Sequence, residues 1–181
     1  FVEMKNKDDI FKKRCHLWKR HADRPVSLPA LQSNIRRNKN MSSLERSIEI
    51  AVTAHKEQVD KASKPYILHP LRLMFKMQTE KEMIAAVLHD VVEDTDWTIE
   101  KLVTEGFDDD VITAVNLLTH DRKVPYKKYI EAIKTNKIAL KVKLADLEDN
   151  MDIKRIAKPK FRDYARLAEY LKYYNELKEL V

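Results

Sequence analysis

Apolar residues recur every three or four positions through most of this chain, with polar residues filling the intervals. That period puts apolar side chains on one face of a helix, and it predicts a run of helices with no strands. The densest stretch is 79–95. Thr79 with Glu82 three residues on reads as a capping box that opens a helix. Met83, Ile84, Ala85, Ala86, Val87, Leu88, Val91 and Val92 then cover more than one face, so this helix is expected to be buried on several sides.

The rest of the pattern supplies helices to bury it. A capping box of Ser42 and Glu45 opens a helix to about Val59, with Ile48, Val52, His55 and Val59 on the expected inward stripe. Residues 65–70, bounded by two prolines, predict a rigid extended connection, followed by a short helix from Leu71 to Met77. Thr98 caps a helix from Ile99 to Glu105 that Gly106 closes. Asp108–Asp110 open the next, where acids favour the positive end, with Val111, Ile112, Val115 and Leu118 as core. Pro125 leads a helix through Lys134, and Asn136 caps one from Lys137 to about Ile153. The last helix starts at Lys160 and packs through Tyr164, Leu167, Leu171, Tyr174, Leu177 and Leu180.

Composition agrees. One glycine and six prolines in 181 residues, with 44% apolar and 35% charged positions, fit an all-α bundle with short connections. The single cysteine, Cys15, excludes a disulfide framework and suits a reducing, cytoplasmic setting. No apolar run reaches the ~20 residues of a membrane span.

The net charge of +6 is unevenly placed. Residues 1–40 carry 11 Lys and Arg against 4 Asp and Glu; residues 41–181 carry 24 against 25. The reading is a basic extension and linker over 1–40 and a domain over 41–181. In the extension, Phe11, Cys15, Trp18 and Ala22 share one helical face opposite Lys12, Lys13, Lys19 and Arg20. Such a helix binds an acidic partner, nucleic acid or a membrane surface, or packs back on its own domain. Nucleic acid binding is expected through this extension or not at all.

Chemistry concentrates inside the apolar helix, where His89, Asp90, Glu93 and Asp94 interrupt the hydrophobic run. Burying several carboxylates is costly unless something positive meets them, and a divalent cation does so most simply. Two further residues share this character. His55 lies among aliphatics, as a satisfied core residue or a ligand, and Asp146 sits in mid-helix with Asn150 one turn on, as a ligand or a surface acid facing a lysine. His69 reads as structural, holding its turn. Lys56, Lys61 and Lys64 surround the turn after the first helix, either solvated or placed to meet phosphate. His55, His89, Asp90 and Asp146 together suit Mn²⁺, Fe²⁺ or Mg²⁺ better than a thiolate zinc site. Glu93 and Asp94 would then move protons one turn away. A glycine-rich phosphate loop is absent.

Four ordered motifs carry a resemblance: Ala-His-Lys-Glu-Gln (54–58), Lys-Pro-Tyr-Ile-Leu-His-Pro (64–70), Leu-His-Asp-Val-Val-Glu-Asp-Thr (88–95), and Val-Lys-Leu-Ala-Asp (142–146) with Asn150-Met151. Residues 42–156 resemble the hydrolase half of the RelA/SpoT alarmone enzymes, an HD-type helical domain. The small hydrolase-only members are the ones implied, since no synthetase half is expected here. The resemblance implies His55, His89, Asp90 and Asp146 as Mn²⁺ ligands and Glu93 and Asp94 as the acid pair acting on water. It also implies Arg46 and Asn150 at the nucleotide, and removal of the 3′-pyrophosphate of guanosine tetra- or pentaphosphate. Other nucleotide phosphates such as NADPH, or nucleotide binding without turnover, are the alternatives. Glu57, Leu147, Asp149 and Asp152 depart from the family pattern, which predicts a more acidic nucleotide-facing wall.

Overall fold

The computed structural model describes residues 43–156 and 158–181. Nine α-helices succeed one another there: α1 Ser43–Ala54, α2 Leu68–Met74, α3 Glu80–Leu88, α4 Val91–Asp94, α5 Ile99–Thr104, α6 Asp109–Leu118, α7 Tyr126–Ile133, α8 Lys137–Asn150 and α9 Phe161–Lys178. A 3₁₀ turn, Ile153–Arg155, follows α8. No strand occurs among the described residues; one isolated antiparallel bridge joins Val59 to Pro65. No described helix is long and apolar enough to cross a membrane. The amphipathic helix expected in 1–40 and the Ser42 cap lie outside the described residues.

The centre is α3. Its capping box forms as the sequence predicts, with Thr79 Oγ1 accepting from Glu82 N and Glu82 Oε2 accepting from Thr79 N. Helices α1, α2, α6 and α8 pack around it. Ala85, Ala86, Val87 and Leu88 are fully buried as a result. Truncating Leu88 to Ala would cost ~2–5 kcal/mol. The caps Thr98, Asp108 and Asn136 form as predicted, and Gly106 closes α5 with φ +84°, a conformation glycine adopts without strain.

Four expectations need correction. The central helix is not continuous to residue 95 but stops at Leu88 and restarts at Val91. In an unbroken helix the Ala86 carbonyl would accept from Asp90 N–H; instead the His89 ring occupies it, at 2.8 Å. Helix α1 ends at Ala54, so Val59 never joins its face; Ser47, Ile50, Ala51 and His55 are buried, while Val52 and Val59 are exposed. The short helix begins at Leu68, and Pro70 sits within its first turn, where a missing N–H costs nothing. Helix α9 buries Tyr173 and Leu177, leaving Tyr164, Leu171 and Leu180 exposed.

Candidate metal centre

Three histidines meet at the break between α3 and α4, each with one ring nitrogen already committed. His89 Nδ1 donates to the Ala86 carbonyl, which can only accept, so Nε2 is left as the free ligand atom. His69 Nδ1 donates to Asp149 Oδ2 at 2.7 Å. His55 Nδ1 donates to Gln58 Oε1 at 2.9 Å; Gln58 is oriented by its own Nε2 donating to the Asp94 carbonyl. A carboxylate or carbonyl behind the ring is the usual support of a metal-binding imidazole.

The free nitrogens face carboxylates. His69 Nε2 lies 3.3 Å from Asp146 Oδ1 and 3.9 Å from Asp90 Oδ2. His89 Nε2 lies 2.9 Å from Asp90 Oδ2 without hydrogen-bond alignment, so this buried atom has no hydrogen-bond partner among the described residues. Ligand atoms of His69, His89 and Asp90 all fall within 4.8 Å of one another, a spacing that can hold a metal ion. Burial opposes charge on His69, yet its bonds to Asp146 and Asp149 outweigh burial and push its pKa up to about 9.

The partners of this group are fixed in turn. Asp146 accepts from Lys143 Nζ at 2.8 Å and from Asn150 Nδ2 at 2.5 Å. Lys143 is buried, which disfavours its charge, but Asp146 and the Tyr129 and Tyr126 rings hold its pKa well above the ordinary value. Its Nζ sits 5.3 Å from the Tyr129 ring centroid and 5.8 Å from that of Tyr126, within cation–π range. The Tyr66 hydroxyl donates to Asp90 Oδ2. Burial and Asp90 raise the Tyr66 pKa far above the ordinary phenol value, so it remains a donor. One turn beyond, Glu93 Oε2 accepts from the His120 backbone N–H at 3.0 Å. Burial pushes the Glu93 pKa up; the His120 amide offsets this only in part. The Asp94 charge bears on His55, Tyr66 and Glu93.

Of the residues singled out from sequence, His89, Asp90, Asp146, Asn150 and the Glu93–Asp94 pair come together. Others do not. His55 lies outside the group of ligand atoms within 4.8 Å of one another; its ring meets Tyr66 at a tilt of 51°, 4.9 Å between centroids, and Tyr66 also meets His69. Its Nε2, like that of His89, is buried without a hydrogen bond among the described residues, and His55 feels the charges of Asp90, His89 and Asp94. Arg46 donates to Glu105 at 2.7 and 2.8 Å and to Glu49 at 2.5 Å. Lys56 is exposed, and Lys61 lines a separate cavity.

His69, expected from sequence to hold its turn, is also paired with Asp149 eighty residues away, and with His89 and Asp90 it offers atoms spaced closely enough to hold a metal ion. Asp149 also accepts from Arg72 at 2.7 and 2.9 Å and lies 3.2 Å from Arg155 Nη2. Burial opposes its charge, but Arg72 and His69 hold its pKa far below the usual carboxylate range. Its charge is therefore met within the fold.

The helical bundle and the imidazole–carboxylate cluster at its central break define an all-α domain of the HD type, able to hold a divalent metal. No family model matches the chain. A guanosine-3′,5′-bis(diphosphate) 3′-pyrophosphohydrolase of Aquifex aeolicus is 34% identical over 149 residues, 71% of this chain and 21% of that protein. MESH1 of Xenopus tropicalis, which bears the same activity name, is 31% identical over 141 residues, 70% of this chain and 78% of its own. The chain belongs to the family of the guanosine-3′,5′-bis(diphosphate) 3′-pyrophosphohydrolases. It spans about a fifth of the Aquifex protein. The solved structure of a metazoan ortholog of SpoT, described as hydrolysing ppGpp, matches with a TM-score of 0.59 over 77% of this chain and 94% of its own. At 24% identity that likeness speaks for the fold alone.

Proposed function

We propose that this domain removes the 3′-pyrophosphate from a guanosine bis(diphosphate), using a divalent ion held by His69, His89, Asp90 and Asp146. The observation that carries the reading is the convergence of imidazole nitrogens on the carboxylates of Asp90 and Asp146, in a chain whose relatives bear that activity name. Two nitrogens and two carboxylate oxygens suit Mn²⁺, with Fe²⁺ or Mg²⁺ as substitutes. The ion supplies Lewis acidity toward a phosphoryl oxygen.

The chain's own residues do the rest. Glu93, with its raised pKa, takes a proton from the attacking water; Asp94 beside it favours that transfer by its charge. The water oxygen bonds to the phosphorus on ribose O3′, the P–O3′ bond breaks, and O3′ receives the proton. Guanosine diphosphate and pyrophosphate are released. Asn150 and Lys143 keep Asp146 turned to the centre, and Tyr66 does the same for Asp90. We assign the activity to residues 41–181 and none of the site to residues 1–40.

The test is hydrolysis of guanosine tetraphosphate with Mn²⁺ and with chelator, reading both products, with NADPH in parallel. Metal-dependent release of guanosine diphosphate and pyrophosphate supports the reading. Turnover of NADPH alone would move the domain to a different nucleotide.

A further inference from the structure

A cavity of about 420 Å³ opens between the turn after α1 and the start of α9. Lys61, Lys158, Lys160, Arg162 and Arg166 line it, with Asp163 as its one acid. Among the described residues only Arg166 of these five is ion-paired, to Asp163 at 2.5 Å. Four cationic groups therefore share one space with no carboxylate bound to them. Burial, and then the charge of Arg166, push the Lys61 pKa down. Lys160 and Arg162 flank the first residue of α9, where the helix dipole disfavours positive charge, so helix stability gives no reason for them.

A chain of hydrogen bonds, and the charge felt along α9, link the cavity to the residues around the metal centre. Asp60, next to Lys61, accepts from Arg155 at 3.2 Å; Arg155 donates at 2.6 Å to the carbonyl of Asp149, the residue that holds His69. Along α9, Arg166 precedes Tyr170 by four residues, about 6 Å of helix rise. Tyr170 feels the negative charge of Asp146, after burial the main cause of its raised pKa.

Resting on the hydrolase reading above, we infer that this cavity receives the phosphate chain at the 5′ end of the nucleotide, and that Lys158, Lys160 and Arg162 select the longer chain. The pentaphosphate, with a triphosphate at O5′, is then a better substrate than the tetraphosphate. The additional phosphate meets cations that the shorter chain does not reach. One exposed contact of this kind is worth up to about fivefold in affinity.

The experiment compares kcat/KM for the two nucleotides on Mn²⁺-loaded protein, wild type against the triple variant K158A/K160A/R162A. All three side chains are exposed, and circular dichroism checks that the variant stays folded. The expected wild-type preference is about fivefold for the pentaphosphate. It shrinks as salt is raised and falls to near one in the variant. Equal kcat/KM for both nucleotides in the wild type, or a preference that the variant keeps, overturns the inference. Failure to hydrolyse either nucleotide overturns the hydrolase reading instead. The ratio of their dissociation constants, wild type against variant, then decides the cavity by itself.

Discussion

The metal centre and the cationic cavity are both crowded with charge, and they differ in how that charge is met. At the centre each charge has a partner within the fold: Lys143 on Asp146, Arg72 on Asp149, Tyr66 on Asp90. In the cavity four of five cations have no ion pair among the described residues. Breaking a buried, partnered charge leaves another charge stranded and costs stability; removing an exposed, unpartnered one does not. The first region spends sequence on holding a geometry, and the second on receiving a ligand.

The sharpest way to test the centre is to separate its two histidine candidates. His69→Ala should lower turnover by about a thousandfold or more, roughly 4 kcal/mol of transition-state stabilisation, and reduce bound metal. His55→Ala removes only a neighbour of the group and should cost about 10–100-fold at most, with metal content retained. Metal analysis of both purified variants beside their rates checks this. Loss of metal in His55→Ala with retention in His69→Ala would return the first ligand to α1.

The contrast in stability comes next. Asp149→Asn leaves Arg72 and Arg155 without their shared counter-charge and His69 Nδ1 without its carboxylate, and should cost about 3 kcal/mol or more. The triple cavity variant should stay within about 0.5 kcal/mol of wild type. Urea unfolding midpoints of the two would show whether the regions differ as their pairing says.

How much of this could be read from the sequence depends on the range of the interaction. Caps and turns were legible because each is decided within a few residues: Thr79 with Glu82, Asn136 with Ala139, Gly106 after α5. The acids at 90, 93, 94 and 146 stood out because their apolar surroundings made them costly. The break at His89 was not legible, since it arises from a ring competing for one carbonyl. Asp149 looked like surplus acidity because its partners lie 77 and 80 residues away. The cavity escaped notice because solvated lysines are common, and only the fold brings Lys61 to Lys158, Lys160 and Arg162.

A partnered charge outside both regions calibrates the pH scale. Glu82 accepts from Lys141 Nζ at 2.6 Å as well as from the α3 cap. Burial works against its charge, but Lys141 and the amides of Gln78 and Thr79 prevail, so its folded pKa is lowered. Its contribution is fully present above the unfolded carboxyl value and is lost as pH falls through the folded one. Glu82→Gln still caps the helix, so the variant isolates the charge. The stability gap to wild type should be ~1 kcal/mol at neutral pH and should close as pH falls below about 4. A gap that persists in acid would mean that the side chain acts through packing.

The smallest effect belongs to the loop that joins the two regions, with His55 at one end and Lys61 at the other. Glu57 adopts φ +67° there, a left-handed conformation that costs a residue with a Cβ about 1 kcal/mol and glycine almost nothing. The Glu57 side chain is exposed, so its removal strands no partner in the core. Against the relief of strain, glycine gives the unfolded chain more freedom, which takes back part of the gain. The net expectation for Glu57→Gly is a stabilisation of about 0.5 kcal/mol with metal content unchanged, read from the unfolding midpoint. A destabilised variant would mean that the Glu57 side chain holds this turn, and that the two regions are joined by a contact as well as by the backbone.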